Sequence, residues 1–398
     1  MMGRPTSKPI FIYSEAVLNY FFHDEHPFNQ KRIALTKQLL ECCGFLIPDQ
    51  VRAPRMATDE ELLLVHDREY IEAVKKASQV SGQSSPGQEH PEFHPFGLGT
   101  EDTPLFPDMH RQAVLAVGGT LLGAELIAQG RTKRVLNLAG GLHHAQRGKA
   151  SGFCIYNDCA VAIEYVRRQY DMKVLYIDTD AHHGDGVQWI FYHDPHVFTF
   201  SIHETGRYLY PGTGHVNEKG IGEGYGYCLN LPVDAFTQDA SWLDCFERGL
   251  EAVLQFFKPD IIISQHGCDA HFYDPLTHLA GSMSIYVRMP ELIKQAAETY
   301  TGGKWLAVGG GGYDIYRVVP RAWGLLWMVM NDVPVKQGPL PESWLSAVRA
   351  HVNGPVPALW LDEEEVLPVI PRQKEIEEKN RLMLKQALSY LRQQVGPH

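Results

Sequence analysis

The sequence lacks the features that mark secreted and membrane-spanning proteins. Its 7 cysteines are an odd number, and no two of them form a CxxC pair. Such scattered cysteines are typical of a reduced, intracellular protein and not of a disulfide framework. The chain has no run of about 18 apolar residues, and its N-terminal stretch has no signal-peptide core. We therefore expect a cytoplasmic protein with no membrane association.

Positive charge is also scarce. The chain of 398 residues has 36 Lys and Arg against 47 Asp and Glu, which gives a formal net charge of -11. An acidic surface disfavours nucleic acids and anionic membranes, so we predict no nucleic-acid partner. Apolar residues make up 44% and charged residues 21%, a balance typical of a soluble globular protein with a large core.

Short apolar runs alternate with helix-like segments along the chain. Most of the runs are unbroken, which is typical of strands covered on both faces of a parallel sheet. The predicted strands are Ile10–Tyr13, Arg134–Ala139, Lys173–Asp178, Val197–Ile202, Asp260–Gln265 and Lys304–Gly310. The predicted helices between them are Arg111–Gln129, Asn157–Gln169, Trp242–Phe257 and Glu291–Tyr300. This alternation predicts a single large α/β domain whose central, mostly parallel sheet has helices on both faces.

The C-terminal segment differs from the rest of the chain. Seven prolines lie between Val333 and Arg372, which predicts an irregular wrap over the surface. A last helix is predicted over Arg372–Val395 from the helical spacing of its apolar residues. We divide the chain into a main domain, 1–331, and this segment, 332–398. Docking of the last helix onto the main domain is the favoured interpretation, and a partner-binding or dimer helix is the alternative.

Polar clusters follow four of the predicted strands. They are GGLHHA (140–145), DTDAHHGDG (178–186), HGCDAHFYDP (266–275) and GGGGY (309–313). In an open parallel sheet, ligands bind beyond the carboxyl ends of the strands, so these clusters should meet at one edge. Their convergence predicts a catalytic site.

A metal ion explains the density of acids in the second cluster. Asp180 and His182 stand two residues apart, and Asp269 can add a third ligand from a neighbouring strand end. Two carboxylates and an imidazole suit Zn²⁺, with Fe²⁺, Co²⁺ or Mn²⁺ as alternatives, and leave one coordination position for water. Without a cation, so many acids beside a buried strand would be costly.

The tandem histidines His143 and His144 are candidates for the general base and acid. An imidazole in this role needs a carboxylate on its far nitrogen, and Asp178 and Asp185 are free to serve. Tyr313 follows four glycines and could donate its hydroxyl to a developing oxyanion. GGGGY alone fits equally well a plain turn with a packed tyrosine.

Other residues give weaker signals on their own. Phe153 and Tyr210 lie next to Gly or Pro and could line an apolar slot, although most aromatic residues belong to the core. Asp102 and Arg32 are single charged residues, for which a solvated position is the default expectation.

Taken in order, these clusters resemble the zinc-dependent histone deacetylase superfamily, which has an arginase-like α/β fold. The resemblance runs from about Ile10 to Asn331, so that 1–331 would be the catalytic domain. Within the superfamily, the chain looks most like the bacterial acetoin-utilisation (AcuC) branch. The motifs for that closer match are DEHPFNQKR, ASGFCIYND, DTDAHHGDGVQ, SIHETGRYLYPGTG, FYDPLTHLAG and GGKWLAVGGGGYDIYRVVPRAW.

The resemblance implies a role for each matching position. The zinc ligands would be Asp180, His182 and Asp269. The catalytic residues would be His143, His144, Asp178, Asp185 and Tyr313. The substrate-binding residues would be the tunnel walls Phe153 and Tyr210, the tunnel-mouth Leu276, the carbonyl of Gly152, the rim acid Asp102 and the inner-cavity Arg32. A structural K⁺ would lie near Asp178, Asp180, His182 and Ser201. Tyr210 stands where the family commonly has Phe, which leaves the acyl preference open.

The resemblance implies hydrolysis of N-ε-acetyl-lysine to lysine and acetate, with acetylated acetyl-CoA synthetase as the expected protein substrate. A small-molecule amidohydrolase, such as an acetylpolyamine deacetylase, is the alternative. No clear insertion builds the constricted entrance that it needs, although Ser78–Phe96, a predicted exposed loop, is a candidate. An arginase-like enzyme would need ligands for a second metal. A non-catalytic acetyl-lysine-binding protein would not need to keep all of these residues. The oligomeric state stays open.

Overall fold

The structure is a computed structural model that describes residues 8–82, 89–335, 337–352 and 354–395. Its strands are β1 (Ile10–Ile12), β2 (Val51–Arg52), β3 (Arg134–Asn137), β4 (Val174–Asp178), β5 (Val197–Glu204), β6 (Cys228–Val233), β7 (Ile261–Gln265) and β8 (Trp305–Val308). They form one sheet in the order β2-β1-β3-β8-β7-β4-β5-β6.

Every strand pair in this sheet is parallel. β4 and β7 are buried along their whole length, because helices cover both faces. The α/β fold and the six predicted strands are confirmed. Two strands are not among the predicted ones: β2, which has only two residues, and β6, whose Pro232 weakens a strand pattern. β6 lies at the edge of the sheet, where a proline is tolerated.

Eleven α-helices occur in the described residues. They are α1 (Lys31–Cys42), α2 (Asp59–Leu62), α3 (Arg68–Ser81), α4 (Met109–Ala128), α5 (Asp158–Tyr170), α6 (Asp185–Ile190), α7 (Asp239–Phe256), α8 (Ile285–Tyr300), α9 (Val319–Met330), α10 (Glu342–Arg349) and α11 (Gln373–Val395). The five predicted helices are present with shifted ends. α9 was missed because all twelve of its residues are buried, which removes the amphipathic pattern.

The prediction of an exposed loop over Ser78–Phe96 was wrong at both ends. Ser78–Ser81 belong to α3, and Pro91–Phe96 form a 3-10 helix. Residues 83–88 lie outside the described part of the chain.

Within the described residues, α4 alone is long and apolar enough to cross a membrane by length and composition. However, 72% of that stretch is buried, and α4 packs against α5 and β3. Its apolar character is explained by its place in the core.

The C-terminal segment shares the core of the main domain. α11 packs against α7 and β6 through Leu384, Leu388 and Leu391. The proline-rich tract is less irregular than predicted, since α10 forms within it and buries Trp344 against α1. In this structure the last helix therefore packs against elements of the main domain.

The sheet order brings the polar clusters together. β3, β8, β7 and β4 are consecutive neighbours, and each of the four clusters follows one of them. Because the strands are parallel, all four clusters lie at the carboxyl ends of the strands, on the same side of the sheet.

Candidate metal centre and active site

Asp180, His182 and Asp269 meet at a buried point beyond β4 and β7. One ligand atom from each residue lies within 4.8 Å of the others. His182 Nδ1 is 2.9 Å from Asp269 Oδ2 and 3.2 Å from Asp180 Oδ1. The predicted three-residue cluster is therefore present.

The outer oxygen of each carboxylate is already bonded. Asp180 Oδ2 accepts hydrogen bonds of 2.6 Å from Gln265 Nε2 and from the backbone N–H of Gly311. Asp269 Oδ1 accepts one of 2.8 Å from the N–H of Ala181. These bonds leave Asp180 Oδ1 and Asp269 Oδ2 directed toward His182 Nδ1. Sequence reasoning missed Gln265, the last residue of β7.

The electrostatics of the cluster favour a cation. Burial and the neighbouring Asp180 carboxylate raise the pKa of Asp269 to about 6. Gly311 leaves room for the carboxylates, because a Cβ there would lie 2.1 Å from Asp269 Oδ2. Two buried carboxylates and one imidazole are a donor set that a divalent ion fits.

The tandem histidines each contact a buried carboxylate. His143 Nδ1 is 2.8 Å from Asp178 Oδ2, and His144 Nδ1 is 2.6 Å from Asp185 Oδ1. The two Nε2 atoms are 3.0 Å apart. The hydroxyl of Tyr176 donates a further bond of 2.7 Å to Asp178 Oδ2. The predicted pairs are therefore present.

The two imidazoles have different charge preferences. Burial opposes the charged form of His143, but the charges of Asp178 and Asp180 outweigh it and raise its pKa to about 9. Burial and the charge of His143 lower the pKa of His144. His144 is thus the neutral member of the pair and the better proton acceptor.

Two buried residues at the start of α5 hold the histidine loop. Asp158 accepts hydrogen bonds of 3.0 Å and 2.8 Å from the N–H groups of Gly141 and Leu142. Asn157 Nδ2 donates to the carbonyls of His143 and Ala145 at 3.2 Å and 2.9 Å. Neither residue is among the predicted site residues, although the acid that ends ASGFCIYND stands beside apolar residues and is a usable signal.

Tyr313 lies close to the metal cluster. Its ring centroid is 6.3 Å from that of His182, and its N–H donates a bond of 2.8 Å to Asp274 Oδ2. Its hydroxyl makes no hydrogen bond to any residue that the structure describes. Burial and the carboxylates of Asp269 and Asp180 raise the pKa of Tyr313 well above 10, so the hydroxyl keeps its proton.

Phe153 and Tyr210 border these catalytic candidates. The Phe153 ring is 6.0 Å from that of Tyr313, and the Tyr210 ring is 5.1 Å from that of His144. Phe153 has a φ of 67°, a left-handed conformation that is costly for a bulky residue and is often kept at functional sites. The Tyr210 hydroxyl bonds to Ser151.

Asp102 and Gly152 are in direct contact, because Asp102 Oδ2 accepts a hydrogen bond of 2.7 Å from the Gly152 N–H.

Arg32 is 1% exposed, so the default expectation of a solvated position was wrong. Arg32 Nη1 donates a bond of 2.9 Å to the carbonyl of Gly312, next to Tyr313. The inner-cavity role that the resemblance implies for Arg32 stays a prediction.

Two predicted positions have less defined surroundings. Leu276 is partly buried on the loop that follows Asp269, with its N–H on Asp274 Oδ1 at 3.0 Å. Ser201 pairs with Asp178 in the register of β4 and β5, and its hydroxyl contacts His203 Nδ1 at 2.8 Å. The tunnel-mouth role of Leu276 and the K⁺ site stay predictions.

Comparisons with known proteins identify the family of the chain. The histone deacetylase domain model matches residues 26–330. The chain is 50% identical over 383 residues to the acetoin utilization protein AcuC of Bacillus subtilis (strain 168), covering 96% of this chain and 97% of that protein. It is 43% identical over 380 residues to AcuC of Staphylococcus xylosus, covering 96% and 97%.

Solved structures show the same fold. The crystal structure of a histone deacetylase homologue from Aquifex aeolicus matches with a TM-score of 0.81 and 29% identity, covering 94% of this chain and all of that chain. A homologue solved in complex with SAHA matches with the same TM-score and identity. The family is one of metal-dependent deacetylases. With a domain match over most of its length and relatives that align almost end to end, this chain belongs to the histone deacetylase family and is similar throughout to its AcuC members.

Proposed function

We propose that this deacetylase uses Zn²⁺ to hydrolyse N-ε-acetyl-lysine on proteins. The observation on which the proposal depends is the convergence of three buried ligands, Asp180, His182 and Asp269, beside two histidine–carboxylate pairs and the Tyr313 ring. Fe²⁺ is the alternative metal. We also propose that K⁺ binds near Asp178, Asp180, His182 and Ser201 as a structural ion.

The zinc ion would be held by Asp180, His182 and Asp269. Such an ion lowers the pKa of water from 15.7 to about 7 and polarises a carbonyl oxygen. The hydrogen bonds from Gln265 and Gly311 to the outer oxygen of Asp180 fix the orientation of that ligand.

The histidines move the protons of the reaction. Neutral His144 accepts a proton at Nε2 from the attacking water, which replaces His143 Nε2 as the partner of that nitrogen, while Asp185 holds the opposite side of the ring at Nδ1. The water oxygen bonds to the acyl carbon, the bond from that carbon to the lysine nitrogen breaks, and the same proton passes to the leaving amine. His143, kept charged by Asp178, places a positive charge beside the developing oxyanion.

The remaining residues orient the substrate. The Tyr313 hydroxyl donates to the acyl oxygen as its negative charge grows. Phe153 and Tyr210 form apolar walls for the lysine methylenes and exclude water. Asp102 and the Gly152 carbonyl bind the substrate backbone and the amide N–H, Leu276 contacts the chain at the tunnel mouth, and Arg32 attracts the released acetate.

The protein substrate that we propose is acetylated acetyl-CoA synthetase in the cytoplasm. This proposal of a substrate is based on the similarity to AcuC proteins over nearly the whole chain. We expect the metal-loaded chain to release acetate from acetylated acetyl-CoA synthetase, to stop when a chelator is added, and to leave acetylspermidine intact. The rates of acetate release from the two substrates, measured enzymatically, distinguish a protein deacetylase from a polyamine deacetylase. Faster release from acetylspermidine would contradict the protein substrate and favour the small-molecule alternative.

The neutral state of His144 predicts the pH profile. Asp185 raises the pKa of His144 by its charge and hydrogen bond, against the lowering by burial and His143. Asp185→Asn removes the charge and lowers the pKa further. A base works in its deprotonated form, so the acid limb of kcat/KM should move to lower pH. The plateau should fall by on the order of 10- to 100-fold, because the orientation of the ring is weakened.

The measurement is kcat/KM against pH for both proteins at saturating metal. Asp194→Asn is the matched control, since it removes a carboxylate that follows the same helix but pairs with Arg167. An acid limb that stays in place in Asp185→Asn would show that another group sets it.

A further inference from the structure

The loop that contains Asp269 is held by a residue from outside the family domain. His271, two residues after Asp269, is fully buried, and its Nε2 lies 3.0 Å from Asp362 Oδ2. Asp362 belongs to the C-terminal segment, beyond the family match of residues 26–330. The contact therefore links the proline-rich tract to the metal-binding loop.

The hydrogen bonds fix the direction of this contact. The N–H of Tyr273 donates a bond of 3.1 Å to His271 Nδ1, so this nitrogen is the acceptor and Nε2 bears the proton. His271 thus donates from Nε2 to Asp362 and accepts at Nδ1 from its own loop. The ring has one orientation in which both bonds are made. The loop turn after Asp269 is defined by the position of the Asp362 carboxylate.

Asp362 joins three elements at once. Its Oδ2 also accepts a bond of 2.8 Å from the N–H of Met283, just before α8, and its Oδ1 accepts one of 2.8 Å from Arg321 Nη1 on α9. The Asp362 and Arg321 side chains are each 1% exposed. Burial favours the neutral acid, but the hydrogen bonds from His271 and the Met283 N–H and the charge of Arg321 lower the pKa of Asp362 well below 3.8. The carboxylate is therefore ionised and acts as the acceptor in all these bonds.

The segment around Asp362 has its own anchor on α9. Trp360 is 4% exposed and lies against Gly324, where a Cβ would come within 2.7 Å of the indole. Gly324 and Arg321 are three residues apart, so they lie on the same face of the helix. One side of α9 thus accepts both Trp360 and Asp362, and the tract is seated on it in a defined position.

We infer that Asp362 is a positioning residue for the metal centre: through His271 it fixes the loop that presents Asp269 to the ion. The same loop contains Asp274, which accepts the Tyr313 N–H, so its position also affects the tyrosine. The inference rests on the metal centre described under the proposed function. It gives the C-terminal tract a role in catalysis, although none of the tract's described residues reaches the reacting atoms.

The test compares metal binding by two variants of the full chain. Asp362→Asn keeps the shape of the side chain but exchanges an accepting oxygen for an NH₂ group, which cannot accept from His271 and Met283. Glu363→Gln makes the same change of charge on the exposed neighbour. Metal-free protein is titrated with Co²⁺, and affinity and visible absorption spectrum are recorded. We expect Asp362→Asn to bind about 10- to 100-fold more weakly with an altered spectrum, and Glu363→Gln to behave as the parent.

A purely structural role would give a different result. Asp362→Asn would then melt at a lower temperature but bind Co²⁺ with unchanged affinity and spectrum, and this outcome would overturn the inference. Equal weakening in Glu363→Gln would also overturn it, because the position of the charge would not matter. If Asp362→Asn does not fold, His271→Leu takes its place, since it fills a similar volume without the Nε2 donor and leaves the pair of Asp362 and Arg321 intact. The same loss of affinity is expected there, and unchanged affinity contradicts the inference.

Kinetics separate this inference from the proposed function. Asp362→Asn at saturating metal should lower kcat on an acetyl-lysine peptide with little change in KM, because the substrate walls are untouched. If the parent chain binds Co²⁺ but releases no acetate from any acetyl-lysine substrate, the proposed function fails. The loss of Co²⁺ affinity in Asp362→Asn still supports the positioning role in that case.

Discussion

Asp269→Asn is expected to remove deacetylase activity almost completely. The amide oxygen can still accept the Ala181 N–H that Asp269 Oδ1 accepts now. The NH₂ group then faces the point shared with His182 Nδ1 and Asp180 Oδ1, where it repels a cation. A bound metal stabilises the transition state by several kcal/mol, so a loss of about 4 kcal/mol corresponds to about 1,000-fold in kcat/KM.

The measurements are metal content per chain, by elemental analysis after dialysis, and the rate of acetate release. Asp260→Asn is the matched control. Asp260 precedes the same strand, β7, and so lies at its amino end, on the side of the sheet away from the metal centre. It should keep one metal per chain and full activity. Full activity of Asp269→Asn with a retained metal would contradict the ligand assignment, and two metals per parent chain would favour an arginase-like centre.

The catalytic edge of the sheet could be predicted because its signals are local. A buried run that ends in DTDAHHGDG places Asp178, Asp180, His182 and Asp185 between the end of one strand and the start of the next helix. Parallel strands bring the loops that follow β3, β7 and β8 to the same side. The distances among Asp180, His182 and Asp269 agree with that prediction. Periodicity and strand ends were sufficient for this part of the fold.

Supporting residues could not be predicted, because their partners are far away in the chain. Asp362 contacts His271 across 91 positions, and Gln265 reaches Asp180 across 85. Nothing near Asp362 in the sequence distinguishes it from the acids that follow it, Glu363 to Glu365, which are exposed. Arg32 was misjudged for the same reason: a charged residue is expected in solvent unless its buried partners are known.

Tyr313→Phe is expected to lower kcat by about 100- to 1,000-fold while KM changes little. The exchange removes only the hydroxyl and keeps the ring, which lies 6.0 Å from Phe153 and 6.3 Å from His182. Removal of one donor to a developing oxyanion costs about 3–4 kcal/mol, because the donor acts mainly in the transition state. The raised pKa of Tyr313 keeps this hydroxyl protonated throughout the working pH range, so its loss should not move either limb of the pH profile.

The control is Tyr316→Phe, which removes a hydroxyl three residues away that contacts Lys31 at 3.2 Å and lies outside the metal centre. Steady-state kinetics of both variants, with metal content measured in parallel, decide the role of Tyr313. A loss of kcat with one metal still bound assigns the hydroxyl to the stabilisation of charge on the acyl oxygen. If Tyr313→Phe releases acetate at the parent rate, Tyr313 has no catalytic role, and GGGGY is the plain turn with a packed tyrosine that the sequence alone equally allows. The oxyanion would then be stabilised by the metal and His143 only.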